Sequence, residues 1–174
     1  MKFSGVLPFA YDDANCLHIL VAREAFGHDQ GLWSGFAGGL ASSRESTLTA
    51  ACRECFEESM GLLGTVDTLA EMLSHAPCVA VPDGVHYLLH LRYNDFLPHA
   101  FAGVRAMYDR IARTPLPSYA PYVEKDAVLW LPLSHCSNAD VVTSATGLEI
   151  RFRRGFAADL KTIHEAFLAA KLLR

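Results

Sequence analysis

A segment from Gly39 to Leu62, GLASSRESTLTAACRECFEESMGL, most constrains what this chain can fold into. Between Ser46 and Met60 the segment contains no proline or glycine and is rich in helix-forming residues. It therefore predicts a helix that begins after Ser46 as N-cap. The preceding residues, Phe36-Ala37-Gly38-Gly39, indicate a turn, so a glycine loop is expected to lead directly into this helix.

Three glutamates of the predicted helix share one face. Glu54, Glu57 and Glu58 are spaced three and four residues apart, so one helix presents all three carboxylates outward. Like charges at this spacing repel one another, and a hard divalent cation with oxygen ligands would reverse that balance. Taken alone, the glutamates fit a solvated helix face better than a metal site. The opposite stripe is more apolar and predicts packing, through Leu48, Cys52, Cys55 and Ser59.

Further residues at fixed intervals favour the metal site. The order and spacing of the Nudix box are matched by Gly39, Glu45, Arg53, Glu54, Glu57 and Glu58. Six fixed residues at about 7% usage each give a chance match of roughly 10⁻⁵ over a chain of this length. The segment therefore resembles the signature of the Nudix hydrolase family. This resemblance implies that Glu45 and Arg53 form an ion pair that fastens the loop to the helix.

The end of the segment departs from the family pattern. Met60 stands where the pattern has glycine, and Gly61 followed by Leu62 arrives one residue late. In the family, the glycine closes the helix in a left-handed conformation, which Gly61 is still free to adopt. We expect the helix to run one residue further before Gly61 caps it, with the carboxylates upstream left in register.

The resemblance implies an α/β protein with the Nudix fold, an α/β/α sandwich with a mixed β-sheet. It implies that Glu57 and Glu58 are metal ligands, and that Glu54 is a ligand or orients the attacking water. A backbone carbonyl of the glycine turn, that of Gly38, is expected to complete the coordination. Such a set of oxygen ligands suits Mg²⁺ or Mn²⁺.

The implied reaction is hydrolysis of a nucleoside diphosphate linked to another moiety X, giving a nucleoside monophosphate and phosphorylated X. A further acidic residue outside the box commonly assists as ligand or base. Glu124 is the first candidate and Asp126 the second, because they precede a buried-strand pattern as an acidic loop does in many family members. An exposed charged turn is an equally good interpretation of both. Asp83 is third, since the Pro82-Asp83-Gly84 turn already explains it.

Substrate recognition needs an aromatic surface for a base and a cation for phosphate. Arg23 is a candidate cation, whereas Phe26, Trp33 and Tyr122 are candidate stacking groups. Each also has an ordinary interpretation, with Arg23 as a solvated strand end, Trp33 as core and Tyr122 as a loop anchor. Nothing in the sequence identifies X. Three arginines before the last helix are more simply solubilising than phosphate-binding, namely Arg151, Arg153 and Arg154.

Composition limits the other classes of function. A chain of 174 residues that is 51% hydrophobic predicts a single domain over 1–174. The net charge of −4 gives no electrostatic basis for a stable nucleic-acid or membrane complex, and no apolar run is long enough to span a bilayer. A cytoplasmic protein with a small nucleotide substrate is expected, and a homodimer is left open. Five scattered cysteines argue against a disulfide framework, and Cys52 and Cys55 are predicted to be buried thiols.

Outside the box, the sequence predicts alternating strands and helices. Strands are expected over residues 2–11, 17–23, 78–81, 85–93 and 127–131, and helices over residues 65–73, 98–113 and 156–173. His86 and His90 would share a sheet face without forming a metal pair.

Two alternatives share the fold. One is a catalytically silent nucleotide-binding or regulatory protein, although such proteins typically lose box carboxylates that this chain retains. The other is an enzyme like isopentenyl-diphosphate isomerase, which needs a catalytic cysteine. Cys16 and Cys78 match no motif of that kind.

Overall fold

The structure, a computed structural model, describes residues 2–111, 121–136 and 140–170. Its strands are β1 (Phe3–Tyr11), β2 (Leu17–Glu24), β3 (Trp33–Ser34), β4 (Phe36–Gly39), β5 (Cys78–Val81), β6 (Gly84–His90), β7 (Lys125–Pro132), β8 (Val141–Thr143) and β9 (Glu149–Arg151). Its helices are α1 (Thr47–Glu58), α2 (Val66–Ser74), α3 (Leu97–Ile111), α4 (Leu133–Cys136) and α5 (Phe156–Ala169).

Strand β1 lies at the centre of a seven-stranded mixed sheet. It pairs in parallel with β6 along one edge, whereas β4 and β2 pair antiparallel along the other. Outside these, β7 pairs with β2 and β5 with β6, both antiparallel. The segment β3–β4 is interrupted at Gly35, so it pairs first with β2 and then with β1. This crossing brings the glycine turn against the central strand.

Helices cover both faces of the sheet. Successive side chains of a strand point to opposite faces, and here apolar side chains lie on both. On β1, Leu7 and Phe9 face one side and Val6 and Ala10 the other. Helices α4 and α5 pack on the first side, and α1, α2 and α3 on the second. The predicted α/β/α sandwich with a mixed sheet is therefore confirmed.

Most of the predicted elements are present with shifted ends. The hairpins β1–β2 and β5–β6 are confirmed, but β6 ends at His90 and not at Tyr93. Helix α2 is confirmed, and α3 follows the prediction as far as Ile111, beyond which the predicted end lies outside the described residues. The last predicted helix is described to Ala169 and packs on the sheet through Phe156, Leu160, Ile163 and Phe167, whereas Leu168 is exposed. Its predicted end lies among residues 171–174, which are not described.

The sequence did not predict the short elements β3, β4, α4 and the β8–β9 hairpin. Each is at most four residues long, so local propensity gives little signal for it. The two cysteines of α1 are buried free thiols, as predicted. Across the described ranges, no helix combines the length and apolar character that crossing a bilayer requires.

Candidate active site

Helix α1 begins as the sequence predicts. Ser46 has an extended backbone, and its Oγ accepts the Thr49 amide hydrogen at 3.0 Å. The Ser4 hydroxyl donates to the Thr47 carbonyl at 2.7 Å and so ties the start of the helix to β1. Cys52 and Cys55 are buried against the sheet, which fixes the rotation of α1 about its axis.

The helix ends differently from the prediction. It stops at Glu58, with Ser59 as C-cap, and both Met60 (φ 55°) and Gly61 (φ 74°) lie in the left-handed region. The Met60 amide bonds the Glu57 carbonyl and the Gly61 amide bonds the Phe56 carbonyl, a Schellman arrangement with Met60 in the usual glycine position. The predicted extra helical residue is therefore wrong. Met60 is only 7% exposed, so its burial in the core offsets the backbone strain.

The glycine turn and the helix meet at Gly38 and Glu54. A Cβ placed on Gly38 would lie 2.3 Å from the carboxyl carbon of Glu54, so a larger residue here would displace this carboxylate. Glu54 and Glu58 are buried, which excludes the solvated helix face for these two and corrects the prediction that all three carboxylates point outward. Burial raises the pKa of the Glu54 carboxyl although Arg53 lies beside it.

Arg53 connects the loop to the helix, as the box pattern implies. Its Nε and Nη2 donate to Glu45 at 3.1 and 3.3 Å, and Nη2 also donates to the Gly39 carbonyl at 3.0 Å. Its Nη1 donates to Glu54 at 2.6 Å and to Glu57 at 3.3 Å. Hydrogen bonds from Arg53 and from the Ala41 amide hold the pKa of Glu45 below its usual range. One guanidinium thus positions two helix carboxylates and the loop together.

Glu58 lies in a separate cluster that is largely shielded from solvent. Its Oε2 accepts the Ala37 amide hydrogen at 2.8 Å, and its Oε1 lies 3.1 Å from the Lys125 ammonium. Lys125 also contacts the Glu24 carboxylate at 2.5 Å and the Ser34 hydroxyl at 3.1 Å. Burial raises the pKa of Glu58 to about 8, with Lys125 opposing the rise. Burial opposes the charge on Lys125 as well, but Glu58 and Glu24 outweigh it and raise the pKa of the ammonium.

Sequence reasoning missed both Lys125 and Glu24. They come together because β2 and β7 pair with Glu24 opposite Lys125, a register that no local motif predicts. The one available signal was a lysine directly after Glu124, at the start of an apolar run.

The candidate acids outside the box occupy different environments. Burial raises the pKa of Glu124, and the charges of Glu54, Glu24 and Glu57 raise it further while Lys125 opposes the rise. Asp126 instead pairs with Arg23 at 2.7 Å. Asp83 pairs with Lys2 at 2.9 Å on the surface. Asp126 and Asp83 are thus engaged in ion pairs, whereas Glu124 is influenced by the charge of the box carboxylates.

The candidate substrate residues are less favourably placed. Trp33 is 3% exposed within the core, so its ring is not available to stack on a base and the predicted role is corrected to packing. The Arg23 guanidinium carbon lies 5.8 Å from the Trp33 ring centroid, and its Nε is engaged by Asp126. Tyr122 packs against Phe56 and Tyr108 as a loop anchor. Phe26 is half exposed.

A cavity of about 470 Å³ adjoins the other side of the glycine turn. It lies between β4 and the start of α5, with His86 and Phe156 in its wall and Arg153 and Arg154 among its lining residues. Arg153 is held by Asp29 at 2.7 Å. His86 lies 3.3 Å from the Asp159 carboxylate, whereas the His90 ring stacks on Phe9, so both histidines make packing or polar contacts within the fold.

The donor set of the site matches a hard divalent cation. Glu54, Glu57 and Glu124 carry carboxylate oxygens, the ligand type that a hard divalent cation prefers. In the ranges that the structure describes, no three acidic, histidine or cysteine side chains already form a metal-binding group. Arg53 and Lys125 hold the carboxylates instead.

Comparison with known proteins agrees with the geometry. The family model for the NUDIX domain matches residues 2–112. No curated protein matches the sequence significantly.

Among solved structures, a Nudix hydrolase from M. smegmatis, RenU, has a TM-score of 0.57 at 16% identity, over 99% of this chain and 89% of that one. A mutT/nudix family protein from Listeria innocua has a TM-score of 0.50 at 16% identity, over 99% and 96% of the two chains. The NUDIX domain of Shewanella oneidensis NrtR, solved with ADP ribose, has a TM-score of 0.50 at 12% identity, over 95% and 86%. At these identities the likeness is one of fold.

Proposed function

This chain belongs to the Nudix family, and from that premise we propose that it hydrolyses the pyrophosphate bond of a nucleoside diphosphate linked to another moiety X. The products are a nucleoside monophosphate and phosphorylated X. Family members are generally pyrophosphohydrolases that use divalent metal ions. The observation that carries the proposal is the geometry of the box, in which Arg53 holds Glu54 and Glu57 and the Glu54 carboxyl lies against Gly38 of the glycine turn.

We assign the metal, Mg²⁺ or Mn²⁺, to Glu54, Glu57 and Glu124, together with the Gly38 carbonyl. When bound, the ion offsets the charge of the diphosphate and makes a water molecule a better nucleophile at neutral pH. Arg53 orients Glu54 and Glu57 through its Nη1, so the two carboxylates keep one geometry through the reaction. Burial raises the pKa of Glu124, which is the direction expected of a carboxylate that accepts a proton in the reaction.

The cavity and the fold support a nucleotide-linked diphosphate as the substrate class. A volume of about 470 Å³ beside Gly38 and Gly39 is adequate for a nucleoside or for X. The NrtR domain of similar fold was solved with ADP ribose, and a nucleotide-linked diphosphate of that kind is our first candidate. Since Trp33 is buried, we assign contact with the base to Phe26, which is half exposed, and contact with phosphate to the arginines at the cavity.

The test is a substrate panel with product identification. Nucleoside diphosphate derivatives and nucleoside triphosphates are incubated with Mg²⁺ or Mn²⁺, and monophosphate plus phosphorylated X is the expected outcome. Glu57→Gln should lower kcat by at least about 100-fold, because it removes a ligand of the ion. Asp67→Asn, in the first turn of α2, is the matched control and should keep wild-type kcat. Full activity of Glu57→Gln would refute the assigned site.

One observation favours a second candidate, a silent nucleotide-binding protein. Glu58, a box carboxylate, is already held by Lys125 and the Ala37 amide. Tight binding of a nucleotide without metal-dependent phosphate release would identify this alternative.

A further inference from the structure

Lys125 is the buried cation of the candidate active site. Its side chain has no exposed surface. An ammonium group has three N–H donors, and those of Lys125 find Glu24, Glu58 and Ser34. The group is therefore fully coordinated by protein atoms, as a bound metal ion would be.

The surrounding backbone keeps Lys125 in this position. The residue begins β7 and pairs with Glu24 of β2, and its carbonyl accepts a hydrogen bond from Arg105 of α3. Glu24 is fixed in turn, because its Oε1 also accepts the Ser34 hydroxyl at 2.9 Å. The side chain has no solvent to turn into, and leaving the cluster would deprive the buried Glu58 carboxylate and the mostly covered Glu24 carboxylate of their cation.

We propose that Lys125 is a built-in cation that takes the place of one divalent ion at Glu58. Glu58 is then a positioning residue that connects β4, through the Ala37 amide, to β7. Divalent metal binds only on the Arg53 side of the site, at Glu54, Glu57 and Glu124. The inference rests on the proposed function, which supplies the expectation that a metal binds at all.

Electrostatics supports this division of the site. A divalent ion that contacts Glu58 would lie within a few ångströms of the ammonium, where the two positive charges repel strongly in a water-excluded setting. The Glu54 and Glu57 carboxylates are instead held by Arg53, whose side chain is 29% exposed, and the Glu57 side chain is 23% exposed. Solvent therefore screens the guanidinium charge and an ion can reach these carboxylates. The box thus divides into a lysine-bound carboxylate and a metal-binding set.

The test counts metal ions directly, without substrate. Mn²⁺ is titrated into the purified full chain and the free ion is followed by electron paramagnetic resonance. We expect Glu58→Gln to leave the number of bound Mn²⁺ ions unchanged and to shift the Kd by less than about threefold. Glu57→Gln should weaken binding by about tenfold or more. Lys125→Met should bind about one more Mn²⁺ per chain than the wild type, and Lys125→Met/Glu58→Gln should lose that extra ion. Lys161→Met, at an exposed position of α5, is the control for loss of a lysine charge.

Two results would overturn the inference. One is a loss of bound Mn²⁺ in Glu58→Gln, which is interpretable even if Lys125→Met fails to fold. The other is a folded Lys125→Met variant with unchanged stoichiometry. If the wild type binds no Mn²⁺ but Lys125→Met binds an ion, Lys125 is indeed the built-in cation, and the proposed hydrolase activity is what fails.

Discussion

Met60 offers a direct measurement of how the chain compensates for the displaced box glycine. The residue has φ 55°, a conformation that costs a residue with a Cβ roughly 1–2 kcal/mol relative to glycine. Its side chain is 7% exposed and packs in the core cluster of α1 and α2. Burial of a methionine side chain contributes about 1.5–3 kcal/mol, so packing should outweigh the backbone strain.

Two substitutions separate these contributions. Met60→Ala keeps the Cβ in the left-handed conformation and loses the packing, so the free energy of unfolding should fall by about 2–4 kcal/mol. Met60→Gly loses the same packing but relieves the strain, so it should be more stable than Met60→Ala by about 1 kcal/mol and still less stable than the wild type.

Urea denaturation followed by circular dichroism measures all three proteins, provided that the slope of free energy against urea stays constant among them. Gly61→Ala is the companion variant, because Gly61 also has positive φ and an added Cβ would lie 3.1 Å from the Phe56 ring. It should lose about 1–2 kcal/mol. The reasoning is refuted if Met60→Gly equals or exceeds the wild type in stability, or if the Ala and Gly variants are indistinguishable.

Two further predictions concern the carboxylates. Gly38→Ala should abolish hydrolysis and metal binding, because the new Cβ would displace the Glu54 carboxyl. Gly103→Ala is the control, since no atom lies within 4 Å of the added Cβ. An active Gly38→Ala variant would contradict the contact between Gly38 and Glu54. Without divalent metal, the free energy of unfolding should fall as the pH rises from about 5.5 to about 8.5. A carboxyl group whose pKa is raised in the folded state contributes its full stability below its unfolded pKa of 4.5. That contribution is lost as the pH rises through the folded-state pKa. These groups are Glu54, Glu124 and Glu58, and of the three it is Glu58 whose pKa is raised to about 8. Urea denaturation at the two pH values checks this, Mg²⁺ should reduce the fall, and a rise in stability would contradict it.

The parts of the site that sequence predicts are those with local causes. Ser46 caps α1 because its hydroxyl reaches an amide three residues along the chain, and Arg53 reaches Glu54 and Glu57 within one helical turn. Such signals depend only on spacing. The burial of Glu54 was not predictable in this way, because it depends on β4 lying beside the helix.

The parts that sequence misses have non-local causes. The contact between Lys125 and Glu24 depends on the register of two strands about a hundred positions apart in the chain. Trp33 has the composition of a stacking group, and only the placement of β3 against the core shows that its ring is covered. Met60 was misjudged because glycine preference at a helix end is weaker than the packing of a buried methionine.

The two departures of this chain act on the same end of α1. The C-terminus of a helix carries partial negative charge, which disfavours Glu57 and Glu58 in its last turn. Lys125 places a positive charge beside Glu58, which compensates the negative charge of the carboxylate and the partial negative charge of the helix C-terminus. Met60 anchors that same end in the core, so the last turn is held on both sides. If this coupling is correct, Met60→Gly should also weaken Mn²⁺ binding at Glu57, and unchanged binding would show that the helix end and the metal site are independent.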